Sequence, residues 1–336
     1  MIKLFSILKL AKNKLCRFFI FYIFRLSAKI FSILLNRYYG LNDEAAIEVL
    51  KKNNLNISLA SDFYSPLPAV WNLKQNIPRW FNASSLSGIE YDLGTMKKCL
   101  SRLSELFSVE YNNIPAYENI VKNNYGLGFT DLDARILYYI IRDKKPKRYL
   151  EIGAGVSTYY SWLAGNKNDG EGRKLKIIAI DPYLTVALKK VENIDIFEKE
   201  VQDIDLGYFE CLEAGDILSI DSSHILKIDG DVAYIFLEII PRLKKGVFLH
   251  IHDIPFPYNV PFPPELWIFG QKWPVFWNEA MLLQAFLSFN NTYKIFFSAP
   301  LIRYFDENYL KYAISNYGDC VKGQNLFSSI WIEKVG

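Results

Sequence analysis

Two short segments of this 336-residue chain, Asp221-Ser222-Ser223-His224 and His250-Ile251-His252-Asp253, hold all three of its histidines. Their residue types suit proton transfer. An imidazole near its ordinary pKa can take the proton of an attacking hydroxyl, and a carboxylate can do the same. Two carboxylates and a histidine brought together can also hold Mg²⁺ or a similar divalent ion. Asp221, His224, His252 and Asp253 are therefore the candidate catalytic residues, with Asp221 and Asp253 as candidate metal ligands. His250 lies inside an apolar run and reads as a core residue or a support to the others.

A third segment, Glu151-Ile152-Gly153-Ala154-Gly155-Val156-Ser157-Thr158, reads as a buried strand that breaks into a glycine turn and opens a helix. Such a turn lets backbone N–H groups and a helix N-terminus approach a ligand closely. An acid just before the first glycine would repel a pyrophosphate. It would attract an ammonium group such as the one at the methionine end of S-adenosylmethionine. Asp181, 26 residues after Gly155, can accept both ribose hydroxyls of an adenosine-containing cofactor. Gln202 and Asp203 fall where the adenine edge would lie, or else in a solvated loop. A nicotinamide dinucleotide fold prefers G-x-G-x-x-G, and Thr158 stands at the last of those positions, which weighs against an NAD-dependent oxidoreductase.

The elements that must position these groups alternate in type. Strands are predicted at Arg148–Ile152, Lys176–Ile180, Asp195–Lys199, Asp216–Ile220 and Val247–Ile251. Helices are predicted at Thr158–Ala164, Thr185–Val191 and Gly230–Ile240 between them. A proline-rich loop at Pro255–Pro264, an amphipathic helix at Val275–Phe289 and two β-rich pieces at Tyr293–Ser298 and Phe327–Glu333 follow. Upstream, residues 94–108 alternate at helical spacing, and Thr130 or Asp131 caps a helix running through Ile141. The pattern predicts an α/β fold, a Rossmann-like, seven-stranded and mostly parallel sheet with helices on both faces. Ligands on such sheets sit beyond the carboxyl ends of the strands, where the candidate residues fall. Trp267, Trp273, Phe276 and Trp277 border the proline-rich loop; packing on the sheet suits most of them, and Phe256–Phe269 is the expected moving part.

Composition separates the N-terminus from the rest. The first 40 residues carry eight basic side chains and no acid, so the net charge of +3 leaves the remainder at −5. That remainder is no nucleic-acid surface. The four cysteines (Cys16, Cys99, Cys211, Cys320) form no C-x-x-C pair and are expected as reduced thiols in a cytoplasmic protein. Phe18 to Phe24 are an apolar run bracketed by Arg17 and Arg25. A membrane span needs about 20 mostly apolar residues, and Arg25 near its middle would cost roughly 2.5–3.5 kcal/mol. Lys3, Lys14, Arg17, Arg25 and Lys29 share about one third of a helical wheel. Residues 1–38 are thus expected to lie on the inner face of the cytoplasmic membrane. The alternatives are packing on the chain's own domain or on a second copy in a homo-oligomer, and a true span. The chain accordingly divides into a basic amphipathic helix at 1–40, a helical and loop cap at 41–125 and an α/β domain at 126–336.

In order, Glu-Ile-Gly-Ala-Gly-Val-Ser-Thr, Ile-Asp-Pro, Gly-Asp-Ile-Leu-Ser-Ile-Asp-Ser-Ser-His and Pro-Arg-Leu-Lys-Lys-Gly-Val-Phe-Leu-His-Ile-His-Asp-Ile resemble the class I S-adenosylmethionine-dependent methyltransferases. The last two segments, with Phe63-Tyr64-Ser65-Pro66-Leu67-Pro68, look like the bacterial branch known as methyltransferase family 24. The resemblance spans roughly residues 60–300. It implies that Glu151, Gly153, Gly155 and Ser157 line the methionine end of the cofactor, Asp181 the ribose, and that Asp221 closes the site. In metal-dependent relatives acids at the ends of strands four and five hold a divalent ion, places that Asp221 and Asp253 occupy here; His252 stands where a second acid or amide is common. The resemblance also implies surface-polysaccharide biosynthesis, with O-methylation of a sugar or lipid-linked glycan hydroxyl. A membrane-associated scaffold on a degenerate fold is the alternative of a different class.

Overall fold

A computed structural model describes residues 14–38, 44–55, 59–60, 62–126, 128–320 and 327–336. Its contacts divide the chain into two compact units, 1–72 and 73–336. The division places residues 73–125 with the sheet. In the first unit Lys14–Tyr38 is a single helix (α1) and Glu44–Lys52 a second (α2). The side chains from Phe18 to Phe24 are all exposed. Among the described residues no helix is long and apolar enough to cross a membrane. Lys3, part of the predicted basic face, lies outside the described residues.

In the second unit Leu93–Asn112 (α3) packs on Asp131–Lys144 (α4), which packs in turn on Val156–Gly170 (α5). Every residue from Leu132 to Arg142 in α4 is buried. Thr130 caps α4, accepting from Asp133 N at 3.1 Å, and so satisfies one of the free N–H groups of the first turn. The buried Arg142 guanidinium is shared between Glu110 of α3 (2.6 Å from Nε) and Glu171 (2.5 Å from Nη2).

Seven strands form one sheet in the order β3-β2-β1-β4-β5-β7-β6. They are β1 Arg148–Ile152, β2 Lys176–Ile180, β3 Ile194–Phe197, β4 Ile217–Ile220, β5 Phe248–Ile251, β6 Tyr293–Ser298 and β7 Ile330–Lys334. β1 to β5 pair in parallel, while β7 is antiparallel to both β5 and β6. The central strands are buried along nearly their whole length, as their Ile- and Leu-rich sequences suit in a sheet covered on both faces. Connections run outward from β1 to β3 and, in the opposite direction, from β4 to β5. Right-handed crossovers therefore send α5 to one face and the helix of Asp231–Tyr234, Ile235–Ile239 and Ile240–Arg242 (α6) to the other.

Three departures from the predicted elements are the largest near the sheet. Thr185–Val191 holds only a 3₁₀ turn, Leu188–Lys190, started by Thr185 Oγ1 accepting from Leu188 N. Seven residues with three β-branched side chains (Thr185, Val186, Val191) do not offset the cost of helix nucleation. The helix predicted at Val275–Phe289 is shortened to Glu279–Leu287 (α7). A helix not foreseen, Ala299–Ala313 (α8), follows β6; its cap is Ser298, accepting from Leu301 N, with Pro300 in the first turn and non-helical dihedrals at Asp306.

Candidate functional site

Strand register builds the site. Ile152 pairs with Ile180 on one side and Ile220 on the other, and Ile220 pairs with Ile251. The next residues, Gly153, Asp181, Asp221 and His252, therefore leave four neighbouring strands at one level. Their backbones are tied there: Gly153 N donates to Ile180 O (2.9 Å), Asp221 N to Ile152 O (2.8 Å) and His252 N to Ile220 O (2.9 Å). Strand order reverses between β1 and β4, so this row marks the crevice where α/β sheets take ligands.

The β1–β2 wall is made of backbone. Gly153 has φ +83°, and a Cβ there would lie 1.8 Å from Asp221 O; the chain admits only glycine at this position. Asp181 accepts from Ala154 N (2.9 Å) and Tyr183 N (2.6 Å), which fixes its carboxylate against the glycine turn. Glu151 is elsewhere than a ligand-facing acid would be. It is fully buried, accepts from Tyr149 Oη (2.9 Å) and from Thr158 Oγ1, and does not line the cavity. Tyr149 and Glu151 share one face of β1, as alternate strand residues must. Thr158 Oγ1 also accepts from Gly155 N (3.0 Å), so Glu151 pins the turn from beneath. Burial raises its pKa to about 7, against the hydrogen bonds it accepts and with help from the charge of Asp221.

The β4–β5 wall is made of side chains. His252 Nδ1 lies 3.3 Å from Asp221 Oδ1 and 3.6 Å from Asp253 Oδ2. His224 Nε2 lies 3.3 Å from Asp221 Oδ1 and 3.5 Å from Asp253 Oδ2, while its Nδ1 meets Glu279 Oε2 of α7 at 2.8 Å. His224 (φ +60°) and Asp253 (φ +55°) hold left-handed backbone, uncommon for residues with a side chain and a mark of a constrained site. The His224 carbonyl accepts from Asn278 N and Glu279 N, which ties the segment to the start of α7. His250 points away: Ser219 bonds its Nδ1 (2.8 Å), Trp331 packs on its ring, and burial depresses its pKa to about 3.

The same wall keeps its charge tightly. Burial disfavours charge on every member. The imidazoles nonetheless hold Asp221 well below the usual carboxylate range, and burial lifts Asp253 and Glu279 above theirs. Burial would lower His224 too, but the hydrogen bonds to Asp221 and Glu279 outweigh it and raise the pKa to about 10. His252 rises likewise through the charges of Asp253 and Asp221. Even so, His252 Nδ1 and Glu279 Oε1 are buried with no hydrogen-bond partner. Asp221, His252 and Asp253 each offer a donor atom within 4.8 Å of the others, an oxygen-and-nitrogen set that suits a divalent ion.

A cavity of ≈ 470 Å³ lies over the row. Gly153, Gly155, Ser157 and Asp181 line one side; Asp221, His224 and Asp253 line the other. Trp267 and Trp277, 5.4 Å apart between ring centres, complete it with Phe262, and the Trp277 ring stands 4.7 Å from that of His224. His252 is fully buried just behind, under Phe129. Trp273 is exposed. Gln202 and Asp203 sit on a 3₁₀ turn outside the lining, where Gln202 Nε2 donates to Asp229 O (3.0 Å).

Four residues of the site escape the motifs. Asp133 is buried in the first turn of α4 and lies 3.5 Å from His252 Nε2, accepting also from Ser328 N and Ser329 N. The Thr130-x-x-Asp133 spacing signals a capped helix start, not an imidazole partner. Glu279, Arg303 and Ser328 come from the C-terminal elements, where no motif marks them.

No family model matches the chain. An uncharacterized protein of Archaeoglobus fulgidus is 28% identical over 163 residues, covering 45% of this chain and 72% of its own. The O-methyltransferase TomG of Streptomyces achromogenes, solved with S-adenosylmethionine, is 11% identical over 70% of this chain and 99% of its own, at a TM-score of 0.43. The methyltransferase PaMTH1 of Podospora anserina, bound to S-adenosylhomocysteine, is 13% identical over 81% and 99%, at 0.37. A CmcI structure with magnesium and S-adenosylmethionine is 16% identical over 67% and 86%, at 0.33. At such identities and scores the likeness carries neither activity nor ligand to this chain; the Rossmann-like fold stands on the strand order above.

Proposed function

We propose that this chain is an S-adenosylmethionine-dependent O-methyltransferase. The observation that carries the reading is one cavity with two unlike walls. A glycine turn and a ribose-accepting Asp181 stand on one side, and an Asp/His cluster able to move a proton stands on the other. The cofactor would lie along Gly153, Gly155, Ser157 and Asp181, its methyl group toward Asp221. The bound cofactor would supply its methyl group to an acceptor hydroxyl oxygen and leave as S-adenosylhomocysteine, and His224 would take the hydroxyl proton. Most of the rate enhancement would come from holding the reacting atoms in line.

Asp221, His252 and Asp253 would hold a divalent ion, which supplies positive charge to a developing alkoxide. His252 Nδ1, buried without a hydrogen bond, fits that role, and Asp133 would orient its ring from behind. His224 holds its proton through Asp221, Glu279 and Asp253. Once Asp221 and Asp253 are committed to a cation that hold weakens, and the imidazole becomes able to act as a base.

The proposed acceptor is a sugar hydroxyl of a glycan or lipid-linked glycan. Trp267 and Trp277 on the cavity wall offer faces for a sugar ring. The exposed apolar run of α1 between Arg17 and Arg25 would hold the enzyme at an anionic membrane surface. Two assays test the reading. Release of S-adenosylhomocysteine across a panel of sugars and glycolipids, with and without Mg²⁺, is expected for at least one acceptor; no release with any would count against it. Flotation with anionic liposomes is expected to fail once residues 1–38 are removed, and unchanged flotation would end the membrane role.

A further inference from the structure

Arg303 of α8 stands between two cavities. It lines the one described above and, with Phe262 and Tyr304, a second of ≈ 300 Å³. Its guanidinium lies 5.2 Å from the centre of the Phe262 ring, and Nη1 is buried with no hydrogen-bond partner. Arg102, Arg142 and Arg148 each meet a carboxylate within 3.0 Å, whereas Arg303 forms no ion pair among the described residues. The nearby acids are engaged: Glu307 accepts from Tyr317 Oη (3.0 Å), and Asp133 serves His252 and Ser328. Burial weighs against its charge. A guanidinium is always ionised, and leaving even its Nη1 N–H groups buried without an acceptor is costly. The ring of Phe262 attracts the cation but cannot accept those N–H bonds in the manner of an oxyanion.

We infer that Arg303 receives an oxyanion of the acceptor, so that the substrate is an acidic or phosphorylated sugar unit and not a neutral one. The inference rests on the methyl-transfer reading and narrows its substrate class. The cofactor's own carboxylate is the competing partner. Against it, the second cavity is lined by residues that follow β5 and by α8, and none of the glycine-turn residues borders it. A ligand that reaches Arg303 from the reacting centre therefore extends away from the cofactor wall.

The test follows the fluorescence of the full-length protein, whose Trp267 and Trp277 line the cavity, during titration with glucose 1-phosphate, glucuronate or glucose. At least one charged probe is expected to bind about tenfold or more tightly than glucose. Which of the two binds better separates phosphate from carboxylate as the natural group. In Arg303→Met that preference is expected to vanish, and in Arg303→Lys to shrink, since an ammonium lacks the planar fork. Affinity for S-adenosylmethionine, measured by calorimetry, is expected to stay within about twofold in both variants. Equal binding of glucose, no binding of either charged probe up to about 20 mM, an undiminished preference in the variants, or loss of cofactor affinity in them would each overturn the inference. If Arg303→Met does not fold, the Lys variant decides alone: an unchanged preference refutes, a reduced one supports. Wild-type protein that ignores S-adenosylmethionine but still prefers the charged probe would sink the methyl-transfer reading instead.

Discussion

The two walls of the cavity are built on opposite principles. On the β1–β2 side the polar groups satisfy one another: Glu151 is held by Tyr149 and Thr158, and Asp181 by two backbone N–H groups. On the β4–β5 side two imidazoles and three carboxylates crowd together, and two of their buried atoms have no partner. Asp221 and Asp253 remain 23% and 20% exposed, within reach of a ligand. The first wall is an internally satisfied scaffold whose changes should register as stability and cofactor affinity. The second leaves buried polar atoms without hydrogen bonds beside a cluster of paired charges, and its changes should register as chemistry.

The largest expected effect lies on the second wall. Asp221→Ala removes the group shared by His224, His252 and the ion site, and is expected to cut kcat/KM by roughly 10⁴-fold. Its melting temperature should stay within a few degrees of wild type. Equal losses of activity and stability would erase the contrast. The mirror case is Gly153→Ala, whose Cβ collides with Asp221 O. It is expected to cost about 3 kcal/mol or more, lowering the melting temperature by roughly 5 °C or more. A normal melting curve would mean the turn is far looser than described.

Within the second wall the two histidines should separate. His252→Gln is expected to weaken Mn²⁺ binding, read by electron paramagnetic resonance, by about 10- to 100-fold. His224→Gln should leave that binding intact and lower kcat by about 10²-fold. Identical behaviour of the two would merge their roles. The smallest effect concerns Glu151. Its pKa, raised from 4.5 to about 7, means the folded chain binds more protons than the unfolded one between those values. Stability should therefore fall as pH rises through that window, by on the order of 3 kcal/mol, and level off above it. Glu151→Gln should flatten that slope in urea titrations; an unaltered slope would assign it to other groups.

How far the sequence speaks depends on what each residue must do. The row Gly153, Asp181, Asp221 and His252 is readable because buried strands announce their ends by a switch from apolar to polar residues. The direction of Glu151 is not. With both sheet faces covered, alternation carries no polar signal, so nothing tells a cavity-facing acid from one under the helix. Arg303 and Glu279 are hidden for another reason. Each sits on a helix whose partners at the site are distant in the chain: Glu279 meets His224, 55 residues before it, and Arg303 lies on the helix that follows β6. The 3₁₀ turn in place of the helix at Thr185–Val191 shows a local pattern too short to hold against its surroundings.

Calorimetric titration of the full-length protein with S-adenosylmethionine bears most directly on the two-walled cavity. Micromolar binding is expected for wild type, weakened about tenfold or more in Asp181→Ala and unchanged in the Gln202→Ala control. No heat with wild type, or undiminished affinity in Asp181→Ala, would contradict it.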